Sequence, residues 1–80
     1  MKVYGSPLCP DVKEAIEILN SKKIDFDFIN ITADLGNLKT FIKLRESNPK
    51  FNAVRECDGI GIPCFEKESG EITFEVKDVL

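Results

Sequence analysis

The chain carries three cysteines and no histidine. Cys9 lies in the stretch "YGSPLCPDV", Tyr4 to Val12, and is followed at once by Pro10. Proline is well suited to the first position of a helix, where its missing N–H would be unpaired in any case. A helix starting at Pro10 makes Cys9 its N-cap. The unpaired amides of the first turn and the positive end of the helix dipole then favour thiolate over thiol. Thiolate is the attacking species in thiol–disulfide exchange, and cysteines at helix N-termini ionise more readily than a free thiol. Asp11, one residue into the helix, suits the dipole but opposes a negative charge on its neighbour. The plainer alternative is that Cys9 is a small residue buried in a strand-to-helix turn. Without histidine, a Cys–His nucleophile pair and a Cys₂His₂ zinc site are both ruled out within this chain. No Cys-x-x-Cys pair is present, and no metal site is expected.

Elements must place that cysteine. "KVYG", Lys2 to Gly5, reads as a short strand ending on glycine. Val12, Ala15, Ile16 and Leu19 recur at helical spacing and predict a buried face on a helix running out near Asn20 to Lys23. "KIDFDFINI" alternates from Ile24 and predicts a strand through Ile31. Strand, helix and strand in this order make a right-handed βαβ unit, and its ligand-binding end is the carboxyl end of the strands, where Cys9 falls. Leu38, Phe41, Ile42 and Arg45 mark a second helix, with Thr32, Asp34 and Asn37 as capping candidates and "ESNP" as its end. "KFNAVRECDGIG" predicts a half-turn of helix and a loop at Asp58-Gly59. "IPCFEKESGEITFEV" predicts a hairpin that turns at Ser69-Gly70 and returns through Ile72, Phe74 and Val76. About one helical turn remains in the tail. The fold class is α/β, a mixed four-stranded sheet in the order β-α-β-α-β-β with helices on both faces and a short or missing last helix.

Composition sets the frame. Eighty residues predict a single domain over positions 1–80. Hydrophobic residues make up 42% and charged residues 31%, the balance of a globular protein rather than a disordered one. The net charge of −3 comes without a run of lysine and arginine, which argues against nucleic acid or an anionic membrane as partner. No apolar stretch is long enough to span a membrane and the first residues do not read as a signal peptide. An odd cysteine count fits no simple disulfide framework, and without an export signal a reducing cytoplasm is expected. A monomer is expected.

"GIGIPCF" adds a second feature, a proline at the start of a predicted strand. Cys-Pro after the first strand together with Ile-Pro at the third resembles the thioredoxin-like fold, specifically the glutaredoxin family. The resemblance spans nearly the whole chain. It implies that Cys9 is the nucleophile, Pro10 the motif proline, Pro63 a cis proline beside the sulfur, and Ile62 the residue that pairs its backbone with an extended substrate. Leu8 and Ser6 would flank the substrate site, Ser6 as a hydrogen-bond donor where many members carry lysine. Arg55 would hold a carboxylate of glutathione, and Lys77 and Asp78 would stand in for the usual motif after the last strand, with Asp78 facing an α-amino group. Glutathione is thereby implied as co-substrate, and disulfide-containing proteins as partners.

The motif "CPDV" departs from the family's Cys-Pro-x-Cys. With Val12 in the fourth position, Cys9 has no resolving cysteine three residues on, and an external thiol would take that role. Cys64 is expected to pack in the third strand, with the alternative that it acts as a non-standard resolving thiol; Cys57 is expected to be a bystander. Lys39, Lys43 and Arg45 are expected to be solvated. The leading expectation is a single-cysteine thiol–disulfide oxidoreductase acting on disulfides or glutathione mixed disulfides. The alternative is a redox-inactive module of the same fold that docks an extended peptide or protein partner; a glutathione-bridged, cluster-carrying dimer is a third reading, weakened because "CPDV" does not match the Cys-Gly-Phe-Ser motif of that class.

Overall fold

The computed structural model describes residues 1–80. Strand β1 (Lys2–Gly5) is followed by helix α1 (Pro10–Ser21), strand β2 (Asp27–Asn30) and helix α2 (Leu35–Ser47). A 3₁₀ turn (Pro49–Phe51) runs into the short helix α3 (Asn52–Glu56), then strands β3 (Cys64–Glu66) and β4 (Ile72–Thr73) form a hairpin, and a 3₁₀ turn (Val76–Val79) closes the described chain. The sheet order is β2-β1-β3-β4. β1 pairs parallel with β2, and β3 runs antiparallel to both β1 and β4. This is the thioredoxin-like arrangement.

Alternation along β1 sends Val3 to one face of the sheet and Tyr4 to the other. Val3 and Phe65 pack with Ala15 and Leu19 of α1, and with Val76 and Val79 of the final turn. Tyr4, Cys64 and Ile72 pack with Phe41 of α2 and Phe51. Helices therefore cover both faces, and Cys64 and α1 lie on opposite sides of the sheet.

Local chemistry explains the helix ends. Asp34 caps α2 by accepting from the Asn37 amide at 2.7 Å. Helix α1 ends in a Schellman motif: the Lys23 N–H donates to Asn20 and the Ile24 N–H to Leu19, with Lys23 at a φ of 57°. Ile24 then packs into the α1-side core.

Two expected strands are shorter than their side-chain patterns. β2 begins at Asp27 rather than Ile24, because Ile24 completes the helix cap and pairing with β1 starts at Lys2 opposite Asp27. Ile24 and Phe26 still pack inward without belonging to the ladder. β4 ends at Thr73, so Val76 lies in the closing turn and not on the strand. The Thr73 hydroxyl is the reason: it accepts from the Glu75 amide at 3.2 Å and donates to Asp78 at 2.6 Å, which turns the backbone out of the ladder. The hairpin turn itself closes with the Gly70 N–H on the Lys67 carbonyl, and Gly70 takes a φ of 90°.

Candidate active site

The loop after β1 closes on itself before α1 begins. The Cys9 N–H donates to the Ser6 carbonyl at 3.1 Å, and Cys9 holds an extended conformation (φ −97°, ψ 119°) as the N-cap of α1. Its own carbonyl accepts the first helical bond, from Lys13 at 3.1 Å. The N–H groups of Asp11 and Val12 meet no acceptor in the chain, and the Cys9 side chain takes no capping bond from them. The helix therefore presents free donors at the end where the half-buried Cys9 sits, and the neighbouring Leu8 is 80% exposed. That arrangement can stabilise negative charge on sulfur or on a bound group.

Ser6 has a different role from the one expected of it. It is buried, its oxygen accepts from the Leu8 amide at 3.1 Å, and it lies 2.8 Å from the Thr32 hydroxyl. The Thr32 proton goes to Asn30 Oδ1, so the single Ser6 proton goes to Thr32. Ser6 has no donor left for a substrate; it ties the Cys9 loop to the end of β2.

Val12 packs against the end of β1. It is fully buried, and a Cβ built at Gly5 would stand 2.7 and 2.9 Å from its two methyl carbons. The fourth motif position is thus a packing contact between α1 and the carboxyl end of β1, and only glycine at position 5 allows the approach.

The second half of the site is the loop before β3. The Ile62–Pro63 peptide bond is cis. Gly61 precedes it with a φ of 94°, and the space a side chain would need there is filled by the Phe51 ring at 2.8 Å. Arg45 pins the same loop: its Nε donates to the Ile60 carbonyl at 3.2 Å and its Nη2 to the Gly59 carbonyl at 2.7 Å. Arg45 is therefore a positioning residue rather than a solvated charge, and no local pattern in the sequence distinguishes it from Lys39 or Lys43. The N–H of Ile62 and its C=O make no hydrogen bond within the chain.

A cleft of about 420 Å³ opens between these two halves. Its apolar lining comes from Ala15, Val54, Ile62, Pro63 and Phe74, and Gly61 contributes backbone. Asp11 and Glu14 of α1 and Glu75 after β4 supply its charged side chains. Sequence reasoning missed Glu14 and Glu75. The signal for Glu14 was its spacing of three from Asp11, which puts both on one helix face.

The other expected site residues lie elsewhere. The Arg55 guanidinium donates to the Arg45 carbonyl and to Asn52 Oδ1, bracing α3 against the end of α2. Asp78 accepts from Thr73 and borders a depression with Met1 and Asp25, at the end of β1 opposite Cys9; Lys77 is exposed on the same turn. Cys64 is fully buried, and burial, reinforced by the Glu66 carboxylate, pushes its thiol up to about 12. A core thiol on the sheet face away from α1 is not a resolving thiol for Cys9, and the packing role stands. Cys57 is exposed and donates to the Val54 carbonyl at 3.4 Å. No three histidine, cysteine or acidic side chains converge as a metal site.

The fold, with a helix-capping cysteine and a cis proline before β3, defines a thioredoxin-like protein. The glutaredoxin family model matches residues 1–54, which covers the cysteine motif and both long helices, and the chain belongs to that family. It is also similar to an uncharacterized protein of Haemophilus influenzae, 31% identical over 74 residues that make up 92% of this chain and 86% of the relative. No solved structure gives a significant match.

Proposed function

We propose that the protein is a single-cysteine thiol–disulfide oxidoreductase. The observation that carries this reading is the half-buried Cys9 at the N-terminus of α1, beside two helix amides without acceptors. The Cys9 thiolate attacks one sulfur of a substrate disulfide; a Cys9–substrate S–S bond forms, the substrate S–S bond breaks, and the departing thiolate takes a proton from water. Ile62 supports the substrate by offering its free N–H and C=O to an extended segment, in the manner of an added strand. Val12 supplies no second thiol. An external low-molecular-weight thiol such as glutathione therefore attacks the mixed disulfide and regenerates Cys9. In a full turn two external thiols are oxidised to one disulfide and the substrate disulfide is reduced to two thiols, so electrons balance without a bound cofactor.

Steady-state reduction of a disulfide by excess thiol tests this. Cys9→Ser is expected to lower the rate by at least about a hundredfold, to the uncatalysed background, while Cys57→Ser leaves it within about twofold. Full activity in the Cys9→Ser protein would overturn the reading. The cleft carries three acidic residues and no cation, which favours a second reading, a peptide-docking module without turnover. A partner that binds the Cys9→Ser protein as tightly as the parent, with no exchange activity in either, would support that one.

A further inference from the structure

The cleft between the first turns of α1 and the loop before β3 has a chemical sign. Its floor is apolar, its edge at Ile62 offers an unpaired backbone N–H and C=O, and its walls carry Asp11, Glu14 and Glu75. These three acids form no salt bridge and accept no hydrogen bond: the ion pairs of the molecule are Arg45–Glu46 and Lys67–Glu71, both elsewhere. The arginines nearest in sequence to the loop, Arg45 and Arg55, hold backbone carbonyls instead. The acids do not converge as a metal site. They are distributed along two walls, Asp11 and Glu14 one helical turn apart on α1 and Glu75 past the end of β4.

We infer that the segment this cleft receives is an extended basic peptide, with lysine or arginine flanking the cysteine of its disulfide. The inference rests on the exchange reading above and narrows its substrate class. A peptide strand pairs with Ile62, its apolar side chains meet Phe74 and Val54, and its cations meet the three acids, which gains selectivity by charge complementarity more than by raw affinity. Glutathione, a net anion, is disfavoured inside the cleft. It serves as the external thiol that attacks the mixed disulfide from the solvent side.

The test uses two short peptides that differ only in carrying lysines or glutamates beside one cysteine, each capped as a disulfide with 2-mercaptoethanol, together with serine versions that cannot react. Binding of the serine versions is read from amide shifts at Glu14, Gly61 and Glu75, and exchange from the rate at which Cys9 acquires the cysteine versions. The lysine peptide is expected to bind at least about fivefold more tightly and to react correspondingly faster, with the difference collapsing in about 0.5 M salt. Asp11→Asn, Glu14→Gln and Glu75→Gln together are expected to remove it, and the salt titration of the unmodified protein gives the same reading if that variant fails to fold. Equal binding of the two serine peptides, or tighter binding of the glutamate one, overturns the charge inference. Preferential binding of the lysine peptide with no transfer to Cys9 from either cysteine peptide upholds the inference and overturns the exchange reading instead.

Discussion

At the scale of single residues, position 12 separates this chain from its dithiol relatives. Val12 is fully buried against Gly5, with its methyls in the space a larger residue at position 5 would need. Val12→Cys would restore Cys-Pro-x-Cys and place a smaller side chain in a packed slot. It is expected to form an intramolecular disulfide with Cys9 under mild oxidation, the oxidant taking two electrons, seen as a loss of two hydrogen atoms in the intact mass. The reduced variant should be less stable by about 1 kcal/mol in urea unfolding. The parent is expected to show no such bond under the same conditions. What was legible at this scale was what is local. Cys-Pro marks a helix start because proline's geometry is fixed by its own ring, and the structure has Cys9 as N-cap. The commitment of Ser6 to Thr32 was not legible, since it depends on a partner 26 positions away.

At the scale of elements, the site is two loops held by unlike means. The Cys9 loop is fixed by short-range bonds to Ser6, whereas the loop before β3 depends on α2 and the Pro49–Phe51 turn. Phe51 packs edge-on to Phe41 and Phe74, fills the space beside Gly61, and so seats the loop that carries Ile62. Arg45→Met keeps the helical propensity and the stem but loses both bonds to Gly59 and Ile60. It is expected to cost about 1–2 kcal/mol in stability. It should also raise amide hydrogen exchange selectively in residues 59–62 and weaken peptide binding more than it slows the reaction of Cys9 with a small disulfide. Equal loss of both reactions would mean that the loop is not what Arg45 positions. The periodic signals found the helices and the core strands, because burial imposes periodicity wherever an element is packed. They overran β2 and β4, because Ile24 and Val76 are half-buried against the core without being paired.

For the molecule as a whole, the two-faced core places ionisable groups where charge is costly. Burial, with help from Glu66, pushes the Tyr4 phenol up to about 12 from an ordinary 10.0, and the Cys64 thiol up to about 12 from 9.0. Both groups are neutral when protonated, and both are raised in the folded state. The unfolded chain therefore loses these protons first as pH rises. The stability that depends on keeping them neutral is complete below about pH 9 and is lost as pH climbs toward about 12. Lys67, held protonated by Glu71, adds to the decline above its ordinary 10.5. Tyr4 and Cys64 each contribute a slope of at most about 1.4 kcal/mol per pH unit. Cys64→Val should move the onset of alkaline destabilisation from near 9 to near 10, the ordinary value for the remaining Tyr4, as followed by chemical unfolding across that range. An unmoved onset would mean that Cys64 is not titrating in the core.

The same whole-molecule view supplies the most direct test of Cys9 as the exchanging thiol. Exposure alone ranks the three sulfurs Cys57 first, half-buried Cys9 second and buried Cys64 last. On the proposed exchange reading, the helix terminus reverses the first two. The measurement is the rate at which each cysteine of the reduced native protein forms a mixed disulfide with bis(2-hydroxyethyl) disulfide, an uncharged probe, resolved by peptide mass after acid quench. Cys9 is expected to react at least about tenfold faster than Cys57 at neutral pH, with Cys64 unmodified. Cys57 reacting as fast as Cys9, or faster, would contradict an activated thiol at this helix end and leave the fold with an idle cysteine.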